Sequence, residues 1–138
     1  MDEKVRQASE YYGSGLYCSQ AVLGAFCGGY GVDEKLAWRI SCGLNSGCRR
    51  AEVCGAVSGA ILVIGLKHGG DKAVCNHKTE EYIQAFLKSN GSMICRDLLG
   101  CDVSTPEGKE KAAGEDLFAT RCIDMVESAA QILCDLGY

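Results

Sequence analysis

Apolar and small residues occupy every side of one stretch in the middle of the chain, residues 53–66, which contains no charged residue. A helix that is apolar all round is a buried helix. This one is shorter than the roughly 20 apolar residues that a membrane-spanning helix needs. Gly69 and Gly70 then end the pattern. We therefore predict a central buried helix over residues 51–69.

The segments on either side of this helix carry apolar residues at helical spacing and are separated by glycines or by capping residues. In the last helix, one face carries Phe118, Cys122, Met125, Ala129, Ile132 and Leu136. No stretch shows the sustained alternation of a strand. The remaining predicted helices cover residues 2–12, 16–30, 33–42, 73–90, 93–99, 104–113 and 115–136. The pattern predicts an all-α protein: a single compact domain, residues 1–138, of about seven helices packed around the central one.

The charged residues indicate which partners and which cellular compartment to expect. The net charge is −4, from 14 basic and 18 acidic residues, and no basic cluster exceeds Arg49–Arg50, so we expect no nucleic-acid partner. The first ten residues are a charged helix start and lack the apolar core of a signal peptide. We therefore expect a cytoplasmic protein that does not insert into a membrane.

Ten cysteines are the most informative part of the composition. In a reducing compartment such a number indicates metal ligands or redox thiols rather than structural disulfides. No two of them have CxxC spacing, so neither a zinc ribbon nor a thioredoxin-type site is supported. Any site must be assembled from distant segments, and spacing does not reveal which cysteines meet. They are Cys18, Cys27, Cys42, Cys48, Cys54, Cys75, Cys95, Cys101, Cys122 and Cys134.

A free cysteine is commonly just a small buried apolar residue. We favour that interpretation for Cys75 and Cys134, whereas the roles of Cys27 and Cys101 stay open. For both histidines, metal ligation is the minor alternative.

Two glycines, Gly55 and Gly59, lie four residues apart on one face of the central helix. Each costs a helix about 1 kcal/mol relative to alanine, so the pair needs a reason. One explanation is the close approach of another helix. The other is that a second sulfur or a cluster lies against the backbone beside Cys54.

The sequence CGAVSG at 54–59 matches the CGAxxG motif, and here the chain resembles the C-GCAxxG-C-C family, which is described as redox-active. Three further landmarks follow the family order: Cys18 in YCSQAV resembles the first cysteine, Cys95 in CRDLLG the third, and Cys122 in LFATRC the fourth. The resemblance covers nearly the whole chain. It implies that these three cysteines and Cys54 act as one constellation.

Four cysteine thiolates are the usual ligand set of an iron–sulfur cluster. On the resemblance we predict a cluster, preferably of the two-iron type, that transfers electrons to a partner protein, with Gly55 and Gly59 lining the site. The same cysteines could instead cycle between dithiol and disulfide without any cofactor. They could also hold zinc in a structural or interaction module. The chain has no CxxCH, so covalent haem is not implied.

Two further cysteines, Cys42 and Cys48, depart from the family pattern before the CGA motif. They could form a redox pair on a loop or supply extra ligands near the main site. The long apolar face of the last helix also suggests a homodimer, or else simply the cover of the central helix.

Overall fold

The computed structural model describes residues 1–138, and it is helical apart from one isolated antiparallel bridge. The all-α prediction is confirmed, and the chain forms eight α-helices. Short 3₁₀ turns follow the second and third helices. The helices are α1 (Glu3–Gly13), α2 (Cys18–Phe26), α3 (Glu34–Ser41), α4 (Gly55–His68), α5 (Lys72–Asn90), α6 (Cys95–Leu99), α7 (Pro106–Gly114) and α8 (Leu117–Asp135).

Side-chain caps explain where several helices begin. Asp33 accepts a hydrogen bond from the Leu36 N–H at the start of α3, and Asp71 caps α5 in the same way. At the start of α7, the Thr105 hydroxyl accepts from the Gly108 N–H at 3.0 Å. These polar residues satisfy N–H groups that have no partner within the helix.

Two helices, α2 and α4, share the centre of the fold. Nearly all of α2 is buried, and so are the first ten residues of α4 on the sides that face α2, α5 and α8. The predicted central helix 51–69 is therefore too long: residues 51–54 are irregular, and α4 starts only at Gly55. Its last turn also reaches the surface, where Leu66 is 38% exposed.

The backbones of α2 and α4 touch at Gly59. A Cβ atom on Gly59 would lie 2.7 Å from the Ser19 carbonyl oxygen and 3.2 Å from the Ser19 Cα. Only glycine allows this approach, so the helix-packing explanation applies at Gly59.

The apolar face of α8 packs inside the chain, against α1, α2, α4 and α5. Its buried residues include Met125, Val126, Ala129, Ile132 and Leu133. Because this face covers the core, a homodimer would have to use another surface. No helix combines the length and the apolar character required to cross a membrane.

Candidate functional site

A cavity of about 710 Å³ opens between the two apolar clusters of the fold. The main cluster surrounds α2 and α4. The second is small and consists of Ala51, Cys95, Leu99, Val103 and Ala112. The cavity has the size of a small-molecule site. Four cysteines from four separate segments line it, namely Cys18, Cys54, Cys95 and Cys122; we refer to them as the cavity cysteines.

Three of the cavity cysteines lie at helix starts. Cys18 and Cys95 are the first residues of α2 and α6, and Cys54 directly precedes α4. Cys122 lies in the second turn of α8. The positive end of a helix and its free N–H groups favour a thiolate, so three of the four positions suit a thiolate ligand.

The isolated bridge between Val53 and Ile94 holds two of these segments together. The Cys54 N–H donates to the Met93 carbonyl at 2.8 Å, and the Cys95 N–H donates to the Glu52 carbonyl at 2.6 Å. The bridge therefore brings the starts of α4 and α6 side by side, although 40 residues separate them in the chain.

Backbone N–H groups lie close to two of the sulfurs. Those of Ala56 and Val57, in the first turn of α4, oppose the rise that burial causes in the pKa of Cys54. Those of Ser19 and Ser46 do the same for Cys18. Such donors stabilise a thiolate and would tune the potential of a bound iron–sulfur cluster.

Gly55 leaves room for one of these sulfurs. A Cβ atom on Gly55 would lie 2.5 Å from the Cys18 sulfur and 3.0 Å from the Leu44 carbonyl oxygen. A second sulfur therefore does lie against the backbone beside Cys54. The two explanations of the glycine pair hold at different positions: helix contact at Gly59 and sulfur contact at Gly55.

Burial raises the pKa of every cavity cysteine: to about 12 for Cys95, to about 11 for Cys122, and above the ordinary range for Cys18 and Cys54. For Cys18 and Cys95, repulsion from the Cys54 thiolate raises the pKa further. Near neutral pH these groups are protonated thiols and weak nucleophiles. A metal cation would reverse this balance, because a coordinating thiol is deprotonated.

Sequence reasoning missed Tyr12, which lines the cavity and whose hydroxyl is close enough to Cys122 to lower the pKa of that thiol. The hydroxyl donates its hydrogen to the Phe118 carbonyl at 2.6 Å. Burial raises the pKa of Tyr12, so it stays a neutral hydroxyl next to the thiol. Its position on the inner face of α1 gave no signal beyond apolar spacing.

The spacing of the side chains bears on what the cavity could hold. No three His, Cys, Asp or Glu side chains are placed to share one metal ion. No two cysteines lie at disulfide distance, and all ten are free. In an iron–sulfur cluster the cysteines are divided among the iron atoms, so four thiols around one cavity fit this group by number and kind.

The other cysteines lie elsewhere. Cys42 and Cys48 are exposed and do not line the cavity. Cys101 is half-buried against the small cluster, close enough to Cys95 and Cys122 to influence the pKa of both. Its place in the chain, six residues after Cys95, was the only sequence signal for this position.

The segment between α3 and α4 forms part of the cavity wall in an unusual backbone conformation. Its non-glycine residues with positive φ are Ser46, Cys48, Arg49 and Ala51. Each such conformation costs of order 1 kcal/mol or more, and strain of this kind clusters at functional sites. Buried Asn45 anchors the segment: it donates to the Cys42 carbonyl at 2.7 Å and accepts from Arg49 at 3.0 Å.

Comparison with known proteins gives one result at the level of the family. The family model described as "Putative redox-active protein (C_GCAxxG_C_C)" matches residues 16–136, which include all four cavity cysteines. None of the curated proteins and none of the solved structures compared with the chain matches it.

Proposed function

Because the chain belongs to the C-GCAxxG-C-C family, which is described as redox-active, we propose that it is an electron-transfer protein whose four cavity cysteines bind an iron–sulfur cluster. One observation carries this proposal: four thiols from four segments line a single cavity. Convergence of this kind is unnecessary if each cysteine is only a small apolar residue. Ten free thiols also suit a reducing compartment such as the cytoplasm.

The surroundings of the thiols support a ligand role. N–H groups close to Cys18 and Cys54, and the Tyr12 hydroxyl close to Cys122, oppose the rise that burial causes in the pKa of these thiols. Such polar groups stabilise negative charge on sulfur in a site that is otherwise largely apolar. A bound cluster would supply one-electron chemistry, and we favour the two-iron type. The cavity cysteines would hold the cluster and the apolar wall would shield it from water, and electrons would pass between the cluster and a partner protein at the cavity mouth.

The alternative, a thiol–disulfide redox protein, uses the same cysteines without a cofactor. It needs a reactive thiolate and a second thiol within bonding distance. The cavity cysteines are protonated near neutral pH, and no pair lies at disulfide distance. The geometry therefore favours a cluster over a disulfide.

Anaerobic purification followed by iron and sulfide analysis tests the proposal. We expect a coloured protein with about two iron atoms and two sulfides per chain, as a two-iron cluster requires. Each of four single substitutions should lower the iron content: Cys18→Ser, Cys54→Ser, Cys95→Ser and Cys122→Ser. The matched control is Cys134→Ser, because Cys134 is a half-buried cysteine near the end of α8, away from the cavity.

A colourless protein with no iron and a titratable dithiol would contradict the cluster and favour the thiol–disulfide alternative. Equal iron loss in Cys134→Ser would show that the cavity cysteines have no special role.

A further inference from the structure

The cavity is larger and chemically more varied than four thiols require. Away from the cysteines its wall is mainly apolar and includes Leu16, Leu99 and Phe118. Tyr17 also lines it and is 48% exposed, so an aromatic ring stands at the mouth. A space of about 710 Å³ with such a lining is typical of a site for an organic molecule.

The charges on the wall are all of one sign. Arg49 and Lys109 are the charged residues that line the cavity, and no Asp or Glu does, in a chain with net charge −4. Both residues are exposed, so they lie at the mouth. Neither forms a salt bridge with a carboxylate. Arg49 also donates to the Asn45 side chain, but neither cation has a carboxylate partner. Two such cations above an apolar interior match a molecule with an apolar body and a negative group.

We propose that the cavity binds a small aromatic anion whose rings contact the apolar wall and whose negative group meets Arg49 and Lys109. The bound molecule would lie beside the cavity cysteines. The binding of this molecule is inferred from the cavity alone. A role for it as an electron donor or acceptor rests on the proposed function.

A matched pair of fluorescent probes tests the proposal on the anaerobically purified protein. The first probe, 8-anilinonaphthalene-1-sulfonate, is an aromatic anion. The second, N-phenyl-1-naphthylamine, has the same rings without the sulfonate. We expect about one sulfonate probe per chain and weaker binding of the neutral probe. Each probe is excited directly, so tryptophan substitutions do not add to the signal.

Paired variants distinguish the effect of the two charges at the cavity mouth from the effect of the protein's overall charge on probe binding. Arg49→Gln and Lys109→Gln should each weaken sulfonate binding about two- to fivefold, as exposed ion pairs do, and leave neutral-probe binding unchanged. Arg50→Gln and Lys111→Gln remove the same charge close by, outside the cavity wall, and should have no effect. Lys109→Gln lies on a regular helix and keeps the test valid if Arg49→Gln disturbs its loop.

A third pair of variants locates the probe. Ala119 is exposed and lines the cavity, whereas its neighbour Thr120 is exposed and does not. We expect Ala119→Trp to close the mouth and weaken sulfonate binding at least about tenfold, with Thr120→Trp as the control. Equal binding in these two variants, or glutamine variants that match their controls, would overturn the proposal. Iron content measured on the same samples shows separately whether the cluster proposal stands.

Discussion

Alanine at position 59 should weaken the contact between the two central helices. The added methyl group would lie 2.7 Å from the Ser19 carbonyl oxygen and 3.2 Å from its Cα. These are backbone atoms of α2 and cannot rotate away, so the helices must separate by several tenths of an ångström. Leucine at the same position would add more atoms against the same backbone and should cost more.

The expected loss of stability in Gly59→Ala can be estimated by comparison with a second glycine of α4. Overpacking a core costs about 1–3 kcal/mol, whereas alanine gains about 1 kcal/mol over glycine in a helix. Gly65 provides the control, because a Cβ there has no neighbour within 4 Å. Gly65→Ala should therefore stabilise the protein by up to about 1 kcal/mol. The helix-propensity gain cancels between the two variants, and Gly59→Ala should be about 1–3 kcal/mol less stable than Gly65→Ala.

Thermal unfolding followed by circular dichroism measures this difference. Proteins unfold with about 2 cal/mol/K of entropy per residue, or roughly 0.3 kcal/mol/K for 138 residues. The midpoints of the two variants should differ by about 3–10 °C. Equal midpoints, or a more stable Gly59→Ala, would refute the close contact between α2 and α4.

Three further predictions concern the cavity. Gly55→Ala should lower the iron content, because the new methyl group would lie 2.5 Å from the Cys18 sulfur and displace it. Iron analysis of this variant beside Gly65→Ala measures the effect. In metal-free protein at pH 8, iodoacetamide should label the exposed Cys42 and Cys48 well before the cavity cysteines, as peptide mass spectrometry would reveal. Burial raises the pKa of Cys122 to about 11, so the folded state holds this proton more tightly than the unfolded chain does. The resulting stabilisation, of order 2 kcal/mol, is present below about pH 9 and is lost as the pH rises towards 11. Denaturant unfolding of the metal-free protein across this range should show the decrease, and a flat profile would contradict it.

Local chemistry predicted most of the helices, because their ends depend on nearby residues. Asp33 and Thr105 cap α3 and α7 where the sequence indicates. The start of α4 was misplaced because Ala51 and Val53 continue the apolar pattern, and Glu52 is a residue that suits the first turn of a helix. Their irregular path is set by the bridge to Ile94, which is a contact between distant segments.

The residues that line the cavity could not be predicted from local chemistry, because they come from segments that sequence spacing does not connect. Family resemblance selected the four cavity cysteines, whereas periodicity and spacing did not. In the sequence, Arg49 is only half of the Arg49–Arg50 pair, which is too short to indicate a binding site. Its place at the mouth depends on the strained backbone of residues 46–51, which no propensity predicts. Lys109 gave no sequence signal, since a lysine in a short helix is normally solvated.

The division of the core into two clusters has a consequence for the candidate site, because the cavity cysteines come from both. Cys18 and Cys54 belong to the side built on α2 and α4, whose backbones are in contact at Gly59. Cys95 and Cys122 belong to the side of the small cluster, which packs fewer side chains and is tied across by the Val53–Ile94 bridge. A group bound by thiolates from both sides therefore cross-links a firmly packed half to a weakly packed one. Because the free energy of such binding adds to that of folding, the occupancy of the site and the stability of the small cluster are coupled.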